Sequence, residues 1–374
     1  MSRIVSRLVA AVILLSALHS SAGQFRHPVY YRAGQRPYRV VTAQFTRSGN
    51  LDLAFADWLS NQTCTLLGNG DGTFQKQRCF SVPAPGALAS GDFNEDGNQD
   101  LAVMEAGGTG KGTLCLYLGE GDGSFRRGSC YVLGIETVSV TVSDFNGDGH
   151  LDVAVANSNQ NGKAGNVMVF FGDGTGKLER PTEYAVAGAP WSIATGDLNG
   201  DHHPDLAVTN LGGYVSVFIN DGTGHFLKPV PYAWNGSPVD VKIADLRHNG
   251  NQDLVVADTA EGMAVLLNNG DGTFGKATIY PPTCQNCVAP EACVVADFNL
   301  DGKLDVACAT SIDDSYLFYG DGKGNFGSSI PIHDAINFQG GFSIAAGDFN
   351  NDKAPDLAIP IQIKGKVAIL LNAK

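Results

Sequence analysis

The sequence has little that would place it in a membrane or on a nucleic acid. Its opening apolar run, from Leu8 to about Leu18, covers about 11 residues, whereas a membrane-spanning helix needs roughly 20. No later stretch is apolar enough to span a bilayer. Basic residues are also few, with 25 Lys and Arg against 38 Asp and Glu and a net charge of −13. Nucleic acids and anionic membranes should repel such a chain.

The first residues have the organisation of a secretory signal peptide instead. Two arginines precede the apolar run, and the small residues Ser20, Ser21 and Ala22 follow it. These are the three parts of such a signal. We predict a signal peptide over residues 1–22, cleaved after Ala22 or Gly23. The mature protein is then expected to be secreted, extracellular or associated with the cell surface, without a transmembrane segment.

Glycine is abundant, at 47 of 374 residues, which favours short strands and tight turns over helices. Two motifs recur along the chain. The first is Asp144-Phe-Asn-Gly-Asp-Gly-His-Leu-Asp152, and its final Asp occurs seven times, 48 to 53 residues apart: Asp52, Asp100, Asp152, Asp205, Asp253, Asp305 and Asp356. The second is a Gly-rich turn about 20 residues later, present in the first six repeats. Such a period indicates a repeat architecture.

Each repeat is interpreted as four strands, with the acidic turn between the first two and the Gly-rich turn between the last two. Four strands in about 40–50 residues are typical of a propeller blade. We predict an all-β fold: a single seven-bladed β-propeller of four-stranded antiparallel blades over residues 23–374. A solenoid is the main alternative. The last repeat lacks its fourth strand, and we expect residues 27–33 to pair with 366–372 and close the ring, which removes both exposed edges.

The acidic turns are predicted to bind calcium. Oxygen ligands at positions 1, 3, 5 and 9 of a tight loop, with the carbonyl of position 7, form the hard environment that this ion prefers. The loops differ from an EF-hand because Val155 replaces its Glu at position 12 and strands flank them. Five loops keep every ligand, so about five ions are expected. The predicted ligands are Asp92, Asn94, Asp96, Asn98 and Asp100; Asp144, Asn146, Asp148, His150 and Asp152; Asp197, Asn199, Asp201, His203 and Asp205; Asp297, Asn299, Asp301, Lys303 and Asp305; and Asp348, Asn350, Asp352, Ala354 and Asp356. Among them Asn98, His150, His203, Lys303 and Ala354 would bind through the backbone carbonyl.

Two loops depart from the pattern. The loop starting at Asp245 has Arg247 at position 3, where a fixed cation should repel calcium. The loop starting at Gln44 keeps only Asp52 and should be empty. His202 and Lys353 replace the Gly at position 6, so their loops should carry some backbone strain.

Together the two motifs resemble the FG-GAP or VCBS repeat of integrin α-chain propellers and many exported bacterial proteins. The resemblance covers about residues 27–374. It implies that the acidic turns lie on a lower face. It also implies that ligands bind on the opposite, upper face, through the loops that enter the first strand and those that join the second and third strands. No inserted adhesion domain is present, so integrin-type signalling does not follow.

Eight cysteines in a secreted chain suggest disulfides. Cys64 and Cys79 flank one Gly-rich turn, and Cys115 and Cys130 flank the next at the same spacing. Facing positions of a hairpin bring Cβ atoms within bridging distance. By the same counting Cys293 faces Cys308 across an acidic turn. The remaining pair, Cys284 and Cys287, is expected to form a small disulfide loop.

No catalytic residue is predicted, because the repeats fill the chain and no Gly-x-Ser-x-Gly, His-Glu-x-x-His, P-loop or dinucleotide motif occurs. We expect a monomeric binding or adhesion module for an extracellular glycan or protein. A carbohydrate-active lyase or hydrolase and a purely structural scaffold are the alternatives. Aromatic and acidic residues in the expected upper-face loops are the candidate ligand-binding residues: Tyr38, Trp58, Trp191, Asp313, Asp314 and Phe342. The acidic groups, Asp57 among them, would favour a cationic or metal-bridged partner.

Overall fold

The computed structural model describes residues 24–105, 112–133, 136–158, 164–283, 289–312, 314–332 and 341–374. Their regular structure is β-strand apart from one short 3-10 helix. The elements are β1 (Val29–Arg32), β2 (Pro37–Ala43), β3 (Asp52–Asp57), β4 (Gln62–Leu66), β5 (Arg78–Ser81), β6 (Pro85–Gly91), β7 (Asp100–Glu105), β8 (Thr113–Gly119), β9 (Phe125–Val132), β10 (Glu136–Ser143), β11 (Asp152–Ser158), β12 (Asn166–Phe170), β13 (Thr182–Ala185), β14 (Pro190–Gly196), β15 (Asp205–Asn210), β16 (Tyr214–Phe218), β17 (Val230–Ala233), β18 (Pro238–Ala244), β19 (Asp253–Asp258), β20 (Gly262–Leu266), β21 (Thr278–Tyr280), β22 (Ala292–Ala296), β23 (Asp305–Ala309), β24 (Tyr316–Phe318), β25 (Ile330–Pro331), β26 (Ala345–Gly347), β27 (Asp356–Ile361), the 3-10 helix (Gln362–Lys364) and β28 (Lys366–Leu370).

The strands form seven four-stranded antiparallel sheets, and the predicted seven-bladed propeller is confirmed. Blade 1 has the order β2-β3-β4-β5, and blades 2 to 6 repeat this order along the chain. The first strand of every blade lines a central channel of about 420 Å³. One lining residue from each blade is Val40, Leu88, Val140, Ile193, Lys242, Val294 and Ile344.

The seventh blade joins the two ends of the described chain. Its order is β26-β27-β28-β1, and the register pairs Val29 with Ile369 and Arg32 with Lys366. The predicted closure by residues 27–33 is therefore confirmed. Phe25, just before the closing strand, is buried and packs edge-on against Phe298 of blade 6, with 5.8 Å between ring centroids.

The second strand of each blade is buried along its whole length. All six residues of β3 and all six of β7 are buried, because each blade is covered on both faces by its neighbours. The apolar clusters accordingly span adjacent blades: Leu114 and Val153, from blades 2 and 3, share one of them. Full burial of such a side chain contributes roughly 1.5–3 kcal/mol, so blade–blade contacts stabilise the ring.

The Gly-rich turn of one blade docks against the acidic loop of the preceding blade. In blade 2 the Gly123 N–H donates to the Phe45 carbonyl at 3.1 Å. A Cβ on Gly123 would lie 2.5 Å from the Leu67 side chain of blade 1, and its φ of 84° already disfavours other residues. The second Gly of the repeated Gly-Asp-Gly sequence is thus required by contact between blades as well as by the turn.

Candidate functional site

The acidic loops all lie on one face of the ring, where each joins the first and second strands of its blade. The backbone at position 6 is left-handed, with φ of 68° at His202 and 72° at Lys353, which confirms the conformation expected to strain these two loops. Position 4 is left-handed too, for example at Glu95 (φ 56°) and Asn351 (φ 60°). Sequence analysis missed this second position. Gly147 and Gly200, which occupy it in blades 3 and 4, were the available signal.

The position-1 carboxylate organises the tip of each loop. In blade 2 the Asp92 carboxylate accepts hydrogen bonds from the N–H groups of Asp96 and Gly97, at 3.2 and 2.9 Å. The Asn94 side chain accepts from the Asp96 N–H and donates to its carboxylate at 2.9 Å. The position-7 N–H of Asn98 donates to the same carboxylate at 2.8 Å. These bonds fold three oxygen-bearing side chains into one tight turn.

The position-9 aspartate lies beneath the turn and is fully buried. Asp100 accepts hydrogen bonds from the Phe93 N–H at 2.9 Å and from the Gly119 N–H at 2.7 Å, and so ties the acidic loop to the Gly-rich turn. Burial, reinforced by the nearby negative charges of Asp92 and Asp96, raises the pKa of Asp100 to about 6. Burial raises the pKa to about 6 at the same position of the other four intact loops: Asp152, Asp205, Asp305 and Asp356. Each intact loop therefore holds a carboxylate whose ionisation a cation would favour.

The two departing loops provide other partners for their position-9 aspartates. In blade 5 the Arg247 guanidinium lies on the Asp253 carboxylate, with nitrogen–oxygen distances of 2.7 and 3.2 Å. In blade 1 the Thr46 backbone and hydroxyl both donate to Asp52, at 2.9 and 3.1 Å. In blade 5 the charge of the buried Asp253 carboxylate is therefore already matched by a cation of the protein itself.

The donor chemistry of the intact loops fits calcium. Every side chain at positions 1, 3, 5 and 9 offers oxygen, which is the donor that calcium prefers. In blade 2 each oxygen of the Asp92 and Asp100 carboxylates accepts one protein hydrogen bond, which leaves a second lone pair on each. Within the described residues, no three His, Cys, Asp or Glu side chains already converge as a metal centre. Asn side chains and backbone carbonyls would have to complete the coordination.

Three of the four predicted disulfides are present. Cys64–Cys79 and Cys115–Cys130 each link the third and fourth strands of a blade, and Cys293–Cys308 links the first and second strands of blade 6. The predicted pair Cys284–Cys287 lies outside the described residues.

On the opposite, upper face, two predicted ligand-binding aromatics meet across the seam between blades 7 and 1. The Tyr38 and Phe342 rings lie 5.9 Å apart. The Arg39 guanidinium lies 4.9 Å from the centre of the Tyr38 ring and donates to the Phe342 carbonyl at 3.1 Å. Sequence analysis did not anticipate this arginine, because its partner is about 300 residues away in the chain.

Trp58 lies at the tip of the hairpin that joins β3 and β4, and 43% of it is exposed. The Arg36 guanidinium lies 5.3 Å from its ring centre. The neighbouring Asp57 is fully buried, and its carboxylate accepts hydrogen bonds from the backbone N–H groups of Gln35 and Arg36, at 3.1 and 2.8 Å. Asp57 therefore serves the local fold and is not an exposed acidic group on this face.

The remaining predicted ligand residues are not gathered with these. Trp191 is partly buried and packs against the core cluster of blades 5 and 6, so it contributes to the interior more than to the surface. Asp314 lies in the hairpin of blade 6, whereas Asp313 lies outside the described residues.

Within the channel, Lys242 pairs with the buried Asp240 at 2.8 Å, and Ser192 donates to the same carboxylate at 3.0 Å.

Comparisons with known proteins agree with this architecture. The sequence model of a family described as FG-GAP-like repeat matches residues 92–155, 144–208, 197–256, 245–308 and 297–359, together more than half of the chain. No curated protein matches the sequence. Two similar solved structures are crystal structures of BBS1N in complex with ARL6DN, one soaked with lead and one with mercury. Their sequence identities are 15% and 13% and their TM-scores 0.61 and 0.62, over 93% of this chain and 98% of the other. At these identities the likeness shows the fold alone.

Proposed function

The chain belongs to the FG-GAP-like repeat family, and from this premise we propose that it is a secreted, calcium-stabilised propeller that binds a glycan or protein ligand through its upper face. The observation that carries the proposal is the exposed Trp58 with the Arg36 guanidinium over its ring. A tryptophan needed for a blade core would be buried. One held at an exposed hairpin tip offers flat apolar area to a ligand.

Calcium has a structural role in this proposal. The residues at positions 1, 3, 5 and 9 of the five intact loops would hold the ion, with the position-7 carbonyls. The ion would supply positive charge beside five buried carboxyl groups whose pKa is about 6. The contrast with blade 5, where Arg247 already neutralises Asp253, supports this assignment. Because the loops lie opposite the binding face, calcium would stabilise the ring without touching the ligand.

Secretion is supported by the three disulfides, since such bonds persist in oxidising compartments. The expected signal peptide, residues 1–22, lies outside the described residues. Across the part of the chain that the structure describes, no helix has the length and apolarity needed to cross a bilayer. We propose that the mature protein acts outside the cell, and that binding rather than catalysis is its activity.

Arrays of glycans and of extracellular matrix proteins, probed with and without calcium, test this function. We expect binding that Trp58→Ala reduces while the melting temperature is unchanged. The matched control is Leu227→Ala, which removes a similarly exposed apolar side chain (50%) near the lower face. Unlike Trp58→Ala, Trp191→Ala should lower the melting temperature, because that ring packs against the core. Binding that tolerates Trp58→Ala but fails when the acidic loops are changed would place the ligand on the wrong face for this proposal.

A further inference from the structure

The positive charges of the described upper face gather on one side of the ring. At the seam between blades 7 and 1, five basic residues lie in or beside the upper-face loops: Arg32, Arg36, Arg39, Lys364 and Lys366. None of the five pairs with a carboxylate among the described residues. The one carboxylate in the described upper-face loops of these blades is Asp57, which is buried and bonded to backbone N–H groups. A chain with a net charge of −13 thus carries a local positive field here.

Two of these cations are held in place before any ligand arrives. The Arg36 guanidinium lies over the Trp58 ring, and its Nε donates to Gln362 Oε1 of blade 7 at 3.0 Å. The Arg39 guanidinium lies over Tyr38 and donates through Nη1 to a backbone carbonyl. A guanidinium restrained in this way loses less conformational entropy when its remaining N–H groups bind a carboxylate.

Exposed apolar side chains lie in the upper-face loops of the same two blades. Leu59 is 52% exposed beside Trp58, and Ile363 is 71% exposed in the 3-10 helix of blade 7. We call this surface the seam patch. It consists of Arg36, Arg39, Trp58, Leu59, Ile363 and Lys364.

The backbone beneath the seam patch is fixed by close contacts. The Ala33 N–H donates to the Gly365 carbonyl at 2.9 Å. A Cβ on Gly34 would lie 1.6 Å from an Asp57 carboxylate oxygen, and one on Gly365 would lie 2.3 Å from the Gly34 carbonyl oxygen. The segment that leads from the closing strand into blade 1 is therefore held by both blades, and the patch is presented on a rigid support.

Resting on the proposed binding function, we propose that the seam patch binds an acidic protein segment that also carries apolar side chains. Carboxylates complement these guanidinium and ammonium groups, none of which pairs with a carboxylate among the described residues. The aliphatic tips of Leu59 and Ile363 complement apolar side chains. A sulfated or uronic-acid glycan would use the same charges. It would make less use of the aliphatic tips, and it would find one face of the Trp58 ring already covered by Arg36.

The test uses the full mature chain and a phage library of random dodecapeptides. Selected peptides are synthesised and their affinities measured by fluorescence polarisation at low and high salt. We expect enrichment of Asp or Glu together with apolar residues. The double variant Arg36→Glu with Lys364→Glu should weaken binding by at least about tenfold at low salt, with a smaller loss at high salt. The matched control, Lys76→Glu, changes an exposed lysine away from the upper face and should have no effect. Leu59→Ser tests the apolar contribution, and melting temperatures show that each variant is folded.

Three results would overturn the inference: peptides without acidic enrichment, equal affinity for the charge-reversal variant, and selective binding of heparin-derived oligosaccharides with no acidic peptide selected. These failures are distinct from failure of the proposed function. If array binding still depends on Trp58 while the peptides ignore Arg36 and Lys364, the upper-face function stands and the partner class is wrong. If array binding ignores every upper-face change, the function itself fails.

Discussion

Removal of divalent cations should give the protein an unusual dependence of stability on pH. Without a bound cation, the buried position-9 carboxyl groups of the five intact loops have a pKa of about 6 in the folded protein, against the ordinary value of 3.8 in the unfolded chain. A raised pKa in the folded state means that the folded protein binds more protons in this range. The stabilisation is complete below the unfolded pKa and is lost as the pH rises through 6.

The size of the effect follows from these values. At pH 5 a carboxyl group with a pKa of about 6 is mostly protonated when folded and mostly ionised when unfolded. Lowering the pH from 7.5 to 5 should therefore stabilise the metal-free protein by about 1.4 kcal/mol per loop. If the five loops titrate independently, the total gain in the free energy of unfolding is about 7 kcal/mol, which is an upper limit. The exposed aspartates of the Gly-rich turns have lowered pKa values, as at Asp71 and Asp122. They titrate below this range and leave the result unchanged.

The assay is urea unfolding of protein freed of divalent cations, at several pH values between 5 and 7.5, with and without added calcium. Calcium should raise the unfolding midpoint at pH 7.5 by mass action, and this difference should shrink at pH 5. His150, whose pKa is raised by Glu95, titrates in the same direction, so the series is repeated with His150→Gln. A metal-free protein that is equally stable, or less stable, at pH 5 than at pH 7.5 would refute the reasoning.

Three further predictions concern the loops, the closure and the disulfides. The double variant Arg247→Asn with Asn249→Asp should bind one more equivalent of calcium by titration calorimetry. Without calcium it should lose roughly 3 kcal/mol, because the buried Asp253 loses its charge partner; an unchanged stoichiometry would contradict the loop assignment. Phe25→Ala should cost about 3–5 kcal/mol by urea unfolding, since the ring packs on Phe298, whereas the exposed neighbour variant Arg26→Ala should cost little. Replacing Cys115 and Cys130 by Ala should cost about 3 kcal/mol through loop-closure entropy, their sequence separation being 15 residues; an unchanged midpoint would show that the blade holds without the bond.

Much of the architecture could be predicted because the repeat carries its own geometry. The Asp at position 9 recurs at every blade, so the number of blades, the strand order and the closing strand follow from counting. The three confirmed disulfides follow in the same way, since residues such as Cys64 and Cys79 lie at facing positions of a hairpin.

The upper face was harder to predict because no repeat encodes it. The contact between Tyr38 and Phe342 joins the two ends of the sequence, and no local pattern indicates it. The role of Asp57 was also misread. An aspartate beside a hairpin tip is usually exposed. This one is buried, and its carboxylate accepts hydrogen bonds from two backbone N–H groups. Trp191 and Trp58 looked equivalent in sequence, but neighbouring blades cover only the first.

The pairing of β1 with β28 has a consequence for biosynthesis. Of the strands that the structure describes, β1 is made first and is paired, residue by residue, with β28, which is made last, as Val29 is with Ile369. Contacts so distant in sequence form slowly, because a long loop must close before they do. Until then the ring has two unpaired strand edges, which favour association with other chains. A chain that terminates before Lys366 can never complete the seventh sheet, so the closed fold depends on synthesis of the chain through β28.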